Sequence, residues 1–178
     1  MAVAAAFAPG IAAADEASAP PAMTRLAELS AQRVLLADTV AASKRQSGRP
    51  VEDAQRERSQ LEQLGVQATA RGVPGEQAAA FFRAQIEANK LVQYRLLAEP
   101  SHTRKPAAAV DLGPVRQRLD GINTELLEAL APALAEAHGE TCAQRAHEAQ
   151  RIAARKHRLD DLHRIALARA FGDLCRMP

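Results

Sequence analysis

Tryptophan is absent, tyrosine occurs once and phenylalanine four times, so aromatics make up only 3% of the 178 residues. A core built on large rings is excluded, and the 47% of apolar residues must pack largely as Ala, Leu, Ile and Val. Residues that favour strands are sparse, which argues against a sheet. No stretch of ~18 consecutive apolar residues occurs, which excludes a membrane-spanning helix. An excess of one charge is also lacking. The 23 basic and 21 acidic residues leave a formal net charge of +2, too small a surplus for a nucleic-acid-binding face. Cysteine occurs twice, at Cys142 and Cys175. Two thiols are too few for a small disulfide scaffold but enough for one staple. If paired, they close a loop of roughly 33 residues, worth ~3–4 kcal/mol in the chain-entropy model. From spacing alone, a disulfide and two buried free thiols both stay open.

What is present is a chain rich in Ala, Leu, Glu, Gln and Arg, the strong helix formers. The expected fold is all-α, a single-domain bundle of about six helices. Residues 1–14 carry a short apolar run, AVAAAFAPGIAAA, ending in three alanines before Asp15. This fits the tail of an export signal with a small-residue cleavage site, although the usual basic opening is missing. An export signal tips the cysteine pair toward a disulfide, since the exported side is oxidising. Residues 15–23 read as a Pro-rich linker, and residues 24–178 as the helical domain. Thr24 is expected to start a first helix that reaches about Gln46, and Asp53 a second that reaches Arg71. A third should run from Glu76 to Ala98, where Pro100 stops it. Pro114 fits the first turn of a fourth, with Pro132 expected to kink or break it and His138-Gly139 to end it. Helical patterns over Thr141–Lys156 and Asp160–Cys175 complete the chain, either as one helix or as two.

Polar residues on faces that a helix should bury carry the functional signal. Arg33 and Lys44 lie eleven residues apart, which returns them to within ~20° of each other around a helix. Asp53, Arg56 and Gln60 are spaced by three and four and share a face. Gln85, Asn89 and Gln93 repeat every four residues, an amide seam flanked by Ile86, Leu91 and Val92. Each stripe also has a bland reading as solvated surface. Together they outline a pocket of cations and amides suited to a small dicarboxylate, because the arginine fork matches a carboxylate and lysine adds a point charge. A non-catalytic exported bundle that binds a small anion or a partner protein shares the composition. Such a bundle does not need these spacings. A metal carrier built from His138, His147, His157 and His163 is disfavoured by separations of nine, ten and six, which do not gather on one helical face. The basic run Arg151 to Arg158 reads as a solvated helix face rather than a nucleic-acid or lipid contact.

These residues resemble the secreted class of all-helical chorismate mutases. The likeness is carried by Arg33, then Lys44, then the run PVEDAQR from Pro50 to Arg56. It continues with Gln60, with QIEANKLVQY from Gln85 to Tyr94, and with Asp111-Leu112 followed by Arg116. It extends from about Leu26 to Cys175. The resemblance implies that Arg33, Arg56 and Arg116 grip substrate carboxylates, and that Lys44 reaches a carboxylate and the ether oxygen. It implies that Gln93 hydrogen-bonds the same oxygen and that Asn89 and Gln60 line the pocket. Asp53 and Glu57 are implied near the substrate hydroxyl, a weaker assignment. It further implies a Cys142–Cys175 disulfide, an exported homodimer, and no nucleic-acid or membrane partner. Glu99-Pro100, where relatives often carry an aromatic, departs from the pattern.

The implied reaction is the pericyclic conversion of chorismate to prephenate, in aromatic amino acid biosynthesis or an exported counterpart of it. It needs no cofactor, metal, base or nucleophile. The protein must fold the substrate side chain over its ring and stabilise negative charge on the breaking ether oxygen. A million-fold acceleration requires ~8 kcal/mol. One well-placed donor supplies roughly 3–4 kcal/mol, so two donors plus conformational capture suffice.

Overall fold

The computed structural model describes residues 20–98, 111–172 and 174–176. Within them the chain forms α1 (Ala22–Ser47), α2 (Ala54–Thr69), α3 (Gly75–Ala98), α4 (Gly113–Ala137), α5 (Cys142–Lys156) and α6 (Asp161–Phe171), then a single 3-10 turn at Leu174–Arg176. Among the described residues there is no strand, and no helix is long and apolar enough to cross a membrane. The N-terminal signal, most of the linker and the residues around Glu99-Pro100 lie outside the described residues.

The centre of the bundle is α1, which packs against α3, α4, α5 and α6. Its sequence suits that place. Leu26 to Ala31 are all buried, and Ala27, Ala31, Ala37 and Ala41 let neighbouring helices approach closely. Few large side chains serve this core. Phe81 and Phe82 of α3 meet edge to face, 5.3 Å between centroids, beside Leu26, Leu29, Ile122, Leu126, Leu127 and Leu130. A smaller cluster of Val34, Ala37, Ala88, Val92, Ala166 and Ala170 joins α1, α3 and α6. Arg33, Asn89 and Gln93 are chain neighbours of Val34, Ala88 and Val92. The small residues of that seam therefore fix the polar ones. Gly172 ends α6 at φ +46, and a Cβ there would stand 2.8 Å from the Cβ of Ala84.

The helix ends follow local chemistry, with corrections to the sequence expectations. The first helix starts at Ala22 rather than Thr24. Its free amides are capped from elsewhere: Ala22 and Met23 donate to the two carboxylate oxygens of Glu136 at 2.8 and 2.9 Å. Asp53 is the N-cap of α2, as its position suggests, accepting from the Arg56 amide at 3.1 Å. Pro132 does not break α4. It leaves the Glu128 carbonyl without its intrahelical donor, but both residues lie on the solvated side, where water can take the bond. Between α5 and α6 the chain turns at Arg158, φ 52, so the two C-terminal patterns are separate helices. Asp160 then caps α6 through the His163 amide at 2.9 Å. The second of them ends at Phe171 rather than continuing to Cys175. Cys142 and Cys175 are joined in a disulfide that ties the start of α5 to the C-terminal turn.

Candidate active site

The polar stripes of α1 and α3 meet at Arg33, near the middle of α1, and Lys44 near its C-terminal end reaches the turn that leads into α2. Asn89 of α3 is buried and donates its amide to the Arg33 backbone carbonyl of α1 at 2.9 Å. That bond fixes which way the Asn89 amide points. Its oxygen is left to accept from Gln93 Nε2, also at 2.9 Å. An amide nitrogen carries two hydrogens, so Gln93 keeps one N–H for a further acceptor. Its Oε1 is buried without a partner. The amides at 89 and 93 are thus interior, not a solvated face. Gln85, the third amide of the seam, bonds Ser30 Oγ at 2.8 Å and the Ala170 carbonyl at 3.1 Å, which docks α6 onto α3 and α1.

Arg33 is 5% exposed, and its Nε has no partner within the protein. Burial pushes its pKa down to about 10, while the charge of Asp120 on α4 pulls the other way. A desolvated guanidinium with an unused donor is primed for an anionic ligand. Lys44 is half-buried and donates to the Val51 carbonyl at 2.8 Å. Burial is the main cause that holds its pKa below the ordinary lysine value. The neighbouring Arg56 charge adds to this, and Glu57 and Asp53 oppose it.

An open hollow of about 480 Å³ is lined by Asp53, Gln55, Arg56, Ser59, Gln60, Gln63 and Asp120, and of the expected site residues it brings together Asp53, Arg56 and Gln60 but not Arg33, Lys44, Asn89, Gln93 or Arg116. Among the described residues no ion pair holds the Arg56 guanidinium, so the pairing with Asp53 that the spacing allowed is made only by the Arg56 backbone. Gln60 lies on the same wall. Glu57 accepts from the Asp53 amide at 3.3 Å and faces Lys90 Nζ at 3.3 Å. It therefore helps to hold the α2 start, whatever it does for a ligand. Arg116 is exposed in the first turn of α4, one turn ahead of Asp120, and no contact of its side chain among the described residues ties it to the cluster. The histidines do not assemble: His163 is held by Asp160 and Asp38, and no group of three or more His, Cys, Asp or Glu among the described residues is placed to hold a metal ion.

A family model described as chorismate mutase type II matches residues 24–94. The chain is 30% identical over 165 residues to the secreted chorismate mutase of Mycolicibacterium smegmatis, covering 92% of this chain and 90% of that one. The chain belongs to the chorismate mutase family. The secreted chorismate mutase of Mycobacterium tuberculosis is 27% identical over 86% of this chain and 78% of its own. Two solved chorismate mutases share the fold. That of Burkholderia thailandensis superposes with a TM-score of 0.79 at 31% identity, covering 88% of this chain and all of that one. That of Burkholderia phymatum gives 0.77 at 33% identity, covering 86% and 96%.

Two residues of this chorismate mutase site escaped the sequence reading. Asp120 follows Arg116 by one helical turn, and that spacing is a usable signal that the two share a face of α4. Lys90 lies beside the amide seam, where a lysine reads as surface. Instead it is mostly buried, with Nζ 2.8 Å from Glu87, 3.3 Å from Glu57 and 3.9 Å from Glu52. Burial lowers its pKa, but Glu87 and Glu57 outweigh this and hold it above the ordinary lysine value. Lys90 thereby fastens the start of α2 to α3.

Proposed function

We propose that the hollow and the polar wall behind it bind chorismate and isomerise it to prephenate without a cofactor. The observation that carries this reading is the relay from the Arg33 carbonyl through Asn89 to Gln93. It fixes a buried neutral N–H donor on the stretch of α3 that docks against Arg33, whose guanidinium is desolvated. In this reading Arg33, Arg56 and Arg116 hold the two carboxylates and so fold the enolpyruvyl side chain over the ring. Lys44 and Gln93 donate to the ether oxygen as its bond to the ring breaks and negative charge gathers there. Gln60 and Asn89 line the pocket, and Asp53 and Glu57 face the ring hydroxyl. Because donors and substrate are set before the reaction, little reorganisation remains when the barrier is crossed.

Export is part of the proposal. It is supported by the relatives named as secreted, by the apolar run ahead of Asp15, and by a disulfide, which persists in oxidising compartments. We also propose a homodimer, whose contact would cover some of the exposed apolar side chains Val66, Tyr94 and Ile165. Sedimentation at micromolar concentration tests it, and a monomer there overturns it.

The enzyme test follows the disappearance of chorismate absorbance with purified protein and with Lys44→Ala. Wild type should consume chorismate rapidly. The variant should lose at least about 100-fold in turnover, the scale of one charge-stabilising donor, with an unshifted melting curve. Wild-type turnover in Lys44→Ala would remove Lys44 from the mechanism, and an inactive, folded wild type would remove the activity.

A further inference from the structure

A carboxylate in a pocket for a dicarboxylate needs a reason. Asp120 lines the hollow opposite Arg56 and Gln60, on the helix facing Arg33. It is also the charge that acts on the buried Arg33 guanidinium, yet it forms no ion pair with it within 4 Å. The hollow that Asp120 lines is shared with Arg56 of α2, so a carboxylate that enters it comes under the charge of Asp120. An entering carboxylate that settles on Arg33 takes over the role of counter-ion and meets Asp120 as a like charge.

We infer that Asp120 is a specificity-determining residue that occupies the field of Arg33 in the empty site and thereby limits how tightly the cleft holds dicarboxylates. The inference rests on the chorismate reading of the cleft. Its value lies in turnover: the rearrangement conserves both carboxylates, so product is held by the same arginines as substrate. A charge that weakens both favours release. Asp120 is exposed and its carboxylate is not a cap or a bridge, so neutralising it leaves the bundle intact.

The experiment compares wild type, Asp120→Asn, Asp120→Glu and Lys44→Ala. For Asp120→Asn, KM for chorismate and the inhibition constant of prephenate should both fall, roughly three- to tenfold, the size of one like charge acting across a solvated gap. The fall should shrink as salt is raised, and Asp120→Glu should restore wild-type values. A KM that stays or rises in a variant with unshifted melting overturns the inference. So does a fall that ignores salt. Lys44→Ala separates this from failure of the underlying reading: if that variant turns over normally, the cleft is misassigned whatever Asp120→Asn does.

Discussion

At position 93 the side chain is an amide, which offers its N–H at any pH, whereas a carboxyl there must be protonated to donate. Wild-type activity should therefore be flat around neutrality. Gln93→Glu should move activity toward acid, read from rate profiles between about pH 5 and about pH 9. A variant equally active at about pH 8 would show that Gln93 does not donate to the reacting oxygen. This part of the site was legible because a repeat of four places amides on one buried line, and Asn89 and Gln93 are buried as that line requires. The direction of the relay was not legible. It depends on which carbonyl of another helix stands opposite Asn89, and no spacing within α3 encodes that. The tie from Lys90 to Glu57 was missed for the same reason, since Glu57 lies on α2.

Between elements, the most specific polar tie outside the site is His163. Its ring is buried in α6 and bonded on both nitrogens, Nδ1 to Asp160 at 2.6 Å and Nε2 to Asp38 of α1 at 2.9 Å. Burial works against the charged ring, but the two carboxylates outweigh it and raise its pKa. Stabilisation from this tie is complete below the ordinary histidine value and is lost as pH rises through the raised one. Asp160 sets the acid limit. Its pKa is lowered, first by the His163 amide, so its share is lost as pH falls through the depressed value. His163→Gln should cost more stability at about pH 5.5 than at about pH 9, measured as the gap in urea midpoint from wild type. An equal gap at both would mean that the ring only fills space. Helix existence was legible almost everywhere, because Asp53, Asp160 and Gly139 mark ends chemically. Two ends were not. Ala22 begins α1 because a distant glutamate caps it, and Pro132 stays helical because its orphaned carbonyl faces water.

For the whole molecule, the Cys142–Cys175 bond closes the C-terminal fifth, α5 and α6, onto itself. Reduction, or replacing both cysteines with serine, should lower stability by ~3–4 kcal/mol. That amounts to a melting shift of about 10 °C for a chain of this size, with kcat retained. Lost activity in a still-folded reduced protein would tie the staple to the site. Two cysteines alone are equally consistent with free thiols; the export reading of residues 1–14 tips them toward a disulfide, and the resemblance implies the pairing. The cap on α1 has a consequence for how the molecule is made. The helix that carries Arg33 and Lys44 emerges first, yet its opening amides are satisfied by Glu136, more than a hundred residues downstream. Until α4 is made and docked, the first turn of α1 lacks these acceptors, a deficit of about 1 kcal/mol that falls on the helix carrying Arg33 and Lys44.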